Sequence, residues 1–133
     1  MIGKVVHNAL LQSSEVEALI GSRVFPVIIP QNQDTLPVIT YQISNLNVIK
    51  SKSTASTFDG DVELNLYAAE YSTIQDLTQK VINALDRSIA TNTIDSQTVN
   101  YFSFNSYSDG FEEDREVYMA SLNFYVRKPY DNE

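Results

Sequence analysis

Phe58-Asp59-Gly60-Asp61-Val62-Glu63-Leu64-Asn65-Leu66-Tyr67-Ala68 alternates between apolar and polar positions along its length. Phe58, Val62, Leu64, Leu66 and Ala68 fall on one side, with Gly60 leaving a gap in their row, and Asp59, Asp61, Glu63, Asn65 and Tyr67 fall on the other. A period of two sorted this way specifies a strand buried on one face and polar on the other. Just beyond it, Ile74, Leu77, Val81 and Leu85 recur at steps of three and four, the stripe of an amphipathic helix that can lie on the strand's apolar face. Ser72 and Gln75 have the spacing of a capping box for that helix. Segment 58–86 therefore reads as a strand with its covering helix, and the rest of the chain can be placed around it.

Upstream, Ile2, Val5, Val6, Ala9 and Leu10 form one face of a first helix. Ser14 and Glu17 make a second capping-box pattern, opening a short helical turn that stops at Gly21. Arg23-Val24-Phe25 begins extended structure, which Pro26 and Pro30 confine to a sheet edge or to an irregular strand. A polar connection, 30–37, leads to an alternating strand, 38–46, with Ile39, Tyr41 and Ile43 on one face. Residues 47–57 end in Ser, Thr, Lys and Ala, a composition that suits a mobile loop or an extended hairpin tip.

Downstream of the second helix, a polar linker (88–97) precedes a short aromatic strand, 99–104. Asp109-Gly110 carries the residue types of a hairpin turn. The closing strand, 116–126, sets Tyr118, Ala120, Leu122, Phe124 and Val126 on one face. The expected fold is α+β: a single, mostly antiparallel sheet of about five strands with two helices packed on one face, in the order α-β-β-β-α-β-β, with room for one parallel crossover at the second helix. No repeat or composition shift divides residues 1–133, so a single domain is expected. The uncovered face is polar, with Tyr67, Met119 and Tyr125 scattered across it.

Composition narrows the function. The chain has no cysteine, which removes disulfide, thiolate-metal and thiol chemistry. No apolar run approaches the roughly 20 residues that span a bilayer, and His7 and Asn8 interrupt any signal-like core, so neither a membrane partner nor standard secretion is expected. A net charge of −8 repels a polyanion, so gripping nucleic acid or an anionic membrane is disfavoured. His7 is the single histidine and supports no catalytic triad, and the four glycines form no phosphate loop.

Asp59, Asp61 and Glu63 share a strand face and could in principle serve a divalent cation or a general acid–base pair. They lack the loop geometry of a calcium site, and a solvated or subunit-facing surface is the preferred reading. The densest acidic run is Phe111-Glu112-Glu113-Asp114-Arg115-Glu116, and Lys50, Lys52 and Ser53 lie in the polar loop. Two segments of opposite charge on one chain suit a head-to-tail contact in which each subunit uses two different patches. The candidate contact residues are therefore Lys50, Lys52, Ser53, Asp59, Asp61, Glu63, Phe111, Glu112, Glu113, Asp114 and Arg115. No catalytic, cofactor or metal residue is assigned.

Four stretches are similar to one family. They are Val16-Glu17-Ala18-Leu19-Ile20-Gly21-Ser22-Arg23-Val24-Phe25-Pro26, Leu36-Pro37-Val38-Ile39-Thr40-Tyr41, Val62-Glu63-Leu64-Asn65-Leu66-Tyr67-Ala68-Ala69-Glu70-Tyr71, and the closing strand 114–126. Together they resemble the tail-completion, or tail-terminator, head–tail joining proteins of long-tailed bacteriophages. The resemblance implies a structural virion protein without enzymatic activity or cofactor. It implies a homo-oligomeric ring, commonly hexameric, that caps the tail tube, ends tube polymerisation and joins the tail to the head-side connector. The implied partners are the tail tube protein and the connector or neck protein. DNA would pass the lumen without specific binding, and the protein would reside in the virion tail or neck, or in host cytoplasm during assembly. The alternatives are another neck or tail-tube subunit, or a carboxylate-based metal-binding or hydrolytic domain.

Overall fold

The computed structural model describes residues 2–31, 35–50, 57–86, 92–94, 97–99 and 101–129. Their order is α1 (Ile2–Gln12), α2 (Ser14–Ile20), β1 (Val24–Pro26), β2 (Val38–Ile49), β3 (Thr57–Ala68), α3 (Tyr71–Leu85), β4 (Asn92–Ile94), β5 (Gln97–Val99), β6 (Tyr101–Glu112) and β7 (Val117–Pro129). The main sheet has five strands in the order β1-β2-β3-β7-β6. The alternating strand that opened the sequence is its centre. β3 pairs antiparallel with β2 on one side and with β7 on the other, along its whole length. β6 closes the far edge, antiparallel to β7.

The apolar row of β3 lies where its period placed it. Val62, Leu64, Leu66 and Ala68 are fully buried, as are Ile74, Leu77, Val81 and Leu85 of α3. α1 packs on β1 and β2, α3 packs on β3, β7 and β6, and α2 touches both helices. All three therefore cover one sheet face. Phe124 lies between Phe102 and Phe104, with ring centroids 5.5 and 5.6 Å apart. Each large side chain buried in this layer contributes roughly 1.5–3 kcal/mol. No described helix is long and apolar enough to cross a membrane.

Several details differ from the expectation. There are three helices rather than two, because the turn at 14–20 is a full α2 separated from α1 by Ser13 alone. Ser13, not Ser14, is the N-cap: its backbone is extended and its Oγ accepts from the Val16 N–H at 3.3 Å. α2 ends as expected at Gly21, whose φ of 59° is ready for a helix stop and whose N–H reaches the Glu17 carbonyl. At α3 no capping box forms. Glu70 is the N-cap and makes no side-chain bond, while Gln75 reaches sideways to the Tyr107 hydroxyl at 2.9 Å. The parallel pair is β1 with β2, Val24 opposite Ile39, not a crossover at α3.

Asp109-Gly110 is not a turn. Both residues sit in the ladder of β6, Asp109 opposite Ala120 and Gly110 opposite Met119. The Asp109 carboxylate is held by two phenols, which keeps the backbone extended through the Asp-Gly pair. The reversal falls at 113–116, where Glu116 takes a φ of 53°. Residues 47–49 and 57 continue the β2–β3 ladder to Ile49 opposite Thr57, which agrees with the extended-hairpin reading. Its tip, 51–56, lies outside the described residues, as do the linker positions 87–91. Inside that linker, β4 and β5 form a small antiparallel pair apart from the main sheet.

Candidate assembly surfaces

The helix-free face is built by the polar row of β3 and its cross-strand partners. Asp59 faces Arg127, Asp61 faces Tyr125, Glu63 faces Asn123, Asn65 faces Ser121 and Tyr67 faces Met119. Asp59 accepts hydrogen bonds from the Tyr125 hydroxyl and from Arg127 Nε, the latter at 3.3 Å. The Arg127 guanidinium also donates to the Tyr125 hydroxyl at 3.0 Å. Burial, with Asp59 as hydrogen-bond partner, raises the Tyr125 phenol pKa, and Asp59 holds Arg127 firmly protonated. Asp61 accepts from Asn45 Nδ2 at 2.8 Å, and Asn65 accepts from Ser121 Oγ at 2.6 Å.

Residues two apart on a strand face sit about 7 Å from each other. Asp59, Asp61 and Glu63 are therefore spaced in a row rather than gathered. Among the described residues no group of three or more His, Asp or Glu side chains could hold a metal ion. The neighbours that two of these carboxylates have are an amide, a phenol and a guanidinium. Such a row presents charge and hydrogen bonds to a surface. Nearby, Glu63, Ser106, Ser121 and Asn123 help line a shallow polar hollow of about 270 Å³. Asn123 Oδ1 is buried there without a partner among the described residues.

The acidic run lies at the β6–β7 turn. Arg115 Nε bonds Glu112 Oε1 at 2.7 Å, and the guanidinium lies 5.1 Å from the Tyr67 ring centre. The Glu112 carboxylate raises the Arg115 pKa further. The turn is thus folded back on the helix-free face, leaving Glu113 and Asp114 exposed. Phe111 points to the other face, half-exposed, and packs edge-on against Tyr118 at 5.0 Å.

Lys50 is exposed and follows Ile49, at the other end of the sheet. Lys52 and Ser53 lie outside the described residues. β3 runs from Thr57, opposite Ile49 and Pro129, to Ala68, opposite Tyr118. Those eleven steps are about 36 Å. The basic end and the acidic turn therefore cannot meet within one chain.

A group missed in the sequence sits between α3 and β6. Tyr71 and Tyr107 both donate to Asp109 Oδ2, at 2.8 and 2.5 Å, and Gln75 ties Tyr107 to α3. These two bonds hold the Asp109 pKa below the usual carboxylate range, Tyr107 contributing most. Burial, reinforced by Asp109, pushes Tyr107 up to about 12. The signal was present: Tyr107, Asp109 and Phe111 alternate on one side, and Tyr71 and Gln75 are four apart on a helix. The Asp-Gly turn reading hid it.

The family model described as Tail completion protein gp17 matches residues 4–127. The chain belongs to the tail-completion family. It is accordingly a structural protein of phage-type tails. A chain from the structure titled "Virion of native gene transfer agent (GTA) particle" has the same fold, with a TM-score of 0.72, 18% identity, and coverage of 93% of this chain and 91% of that one. A second solved chain is 9% identical, with a TM-score of 0.49 over 98% of both chains. No curated protein sequence matches this tail-completion chain.

Proposed function

We propose that this tail-completion protein assembles into a ring, commonly of six copies in proteins of this kind, that caps the tail tube, stops its growth and joins it to the head-side connector. The observation carrying this reading is that the two chemically different ends lie about 36 Å apart along the strands. A subunit whose strands run along the tail axis can then offer one end to the tube and the other to the connector. Lys50, followed in sequence by Lys52 and Ser53, marks one end, and Phe111, Glu112, Glu113, Asp114 and Arg115 make the other. Asp59, Asp61 and Glu63, on the helix-free face, would line a lumen that lets DNA pass without adhesion. On this reading the protein performs no catalysis.

The test is to delete the gene and image the tails by electron microscopy. Overlong, headless tubes, restored to uniform length and head attachment by the gene in trans, are expected. Absent tubes would identify a tube subunit instead. Normal tails joined to heads would refute the proposal.

A further inference from the structure

Two exposed apolar features lie on opposite edges of the sheet. On the β1 side, Val27 and Ile28 are 60% and 70% exposed. Val27 has a φ of 68°, left-handed backbone that a β-branched residue adopts only under strain. Its N–H donates to the Tyr41 carbonyl at 2.8 Å and that of Ile28 to the Pro26 carbonyl at 2.7 Å, so the pair is held outward as a knob. On the β6 side, Tyr71, Tyr107 and Phe111 are exposed around Asp109. Tyr118 lies behind them, edge-on to Tyr71 and Phe111.

The ladder puts the knob's anchor level with Tyr107, at one end of the aromatic patch. Tyr41, which anchors the knob, is opposite Leu64, Leu64 is opposite Leu122, and Leu122 is opposite Tyr107. We propose that neighbouring copies meet side by side, with Val27 and Ile28 of one seated on the Tyr71–Tyr107–Phe111 patch of the next. This contact deepens the ring reading and rests on it.

Charge selects this arrangement over a symmetric one. The patch is flanked by Asp109, Glu112, Glu113 and Asp114, so two patches face to face would set carboxylate against carboxylate. Segments 24–31 and 38–50 carry no carboxylate and a single charge, Lys50. Exposed aromatic side chains are also the residue types that anchor interfaces. A contact between unlike patches repeats from copy to copy about one axis, here one along the strands, and closes when the rotation allows. β6 has no strand neighbour on its outer side, and β1 stops at Pro26, so neither edge is already filled among the described residues.

The chain's lack of cysteine makes the test clean. Ile28→Cys and Tyr107→Cys are introduced singly and together, and a short bis-maleimide linker is applied to the purified protein and to assembled particles. Four strand spacings, about 19 Å, separate the β1 and β6 edges within one copy, beyond a short linker. The double variant should give a ladder of covalent multimers, a mixture of the two single variants dimers only, and either single variant alone nothing. An independent variant, Ile28→Asp, should weaken self-association about tenfold or more while leaving the circular dichroism spectrum unchanged.

Multimers from amine cross-linking with none from the double variant would overturn this contact and leave the ring standing. No multimers by either route, in particles that contain the protein, would overturn both. Linkage within a single variant would overturn the head-to-tail arrangement, and capture of the tube protein by Cys at position 28 would assign the knob to the tube.

Discussion

The carbonyl of Asn45 lies so close over Gly60 that a Cβ added there would stand 2.2 Å from its oxygen. The approach follows from a bulge in β2: Ile43 faces Val62 but Asn45 faces Asp61, so Ser44 is extra and the strand leans inward. The gap in the apolar row of β3 is therefore filled by backbone. Gly60→Ala should destabilise the protein by about 2–3 kcal/mol, since the obstacle is main chain and cannot swing aside. Thermal or denaturant unfolding measures this, and a change below about 0.5 kcal/mol would show that the bulge yields.

Thr78 lies on the buried side of α3, and its Oγ1 is buried with no partner among the described residues. An unpaired buried hydroxyl costs about 1–3 kcal/mol. Thr78→Val keeps the shape and removes the hydroxyl, so stability should rise by about 1 kcal/mol. A loss of stability in denaturant titration would mean that the hydroxyl does have a partner.

The Tyr71–Tyr107–Asp109 group sets opposite pH limits. Asp109 has a depressed pKa in the folded chain, so its contribution is present above the ordinary carboxylate value of about 3.9 and is lost as pH falls through the folded value. Tyr107 is raised to about 12, so its contribution is present below the ordinary phenol value of about 10 and is lost as pH climbs from there through about 12. Carboxyl NMR titration should find Asp109 below the usual range, and Tyr107→Phe should bring it back up. In phenolate absorbance, Tyr107 should be among the last tyrosines to ionise. An Asp109 that titrates identically with and without the Tyr107 hydroxyl would contradict the assignment.

Arg115 is shared between Glu112 and the Tyr67 ring, and both contacts are partly solvent-exposed. Together they are worth about 1 kcal/mol. Arg115→Ala should leave the core intact while amide exchange quickens at 113–116. Slowed or unchanged exchange there would show that the positive φ at Glu116 alone sets the turn.

Local pattern made the core legible and left the edges obscure. The period of two at 58–68 and the stripe Ile74, Leu77, Val81, Leu85 describe burial that depends on a residue's own neighbours in sequence. The cap of α2 slipped by one residue because Ser13 and Ser14 are chemically alike and only the end of α1 at Gln12 separates them. Asp109-Gly110 failed as a turn because a phenol from α3, remote in sequence, joined one from two positions earlier in β6 and overrode a local preference. The acidic run at 111–116 was found from charge, but its distance from Lys50 came only from the ladder. Val27 and Ile28 gave no sign at all, since an apolar run between prolines looks like strand until its backbone is seen.

The most direct test is electron cryomicroscopy of the tail's head-proximal end at a resolution that shows strands. The expected result is a ring of this chain with its strands along the tail axis, the Ile49/Thr57 end of the hairpin on one axial face and turn 113–116 on the other. A ring that shows both on the same axial face, or a tube end without this chain, would contradict it.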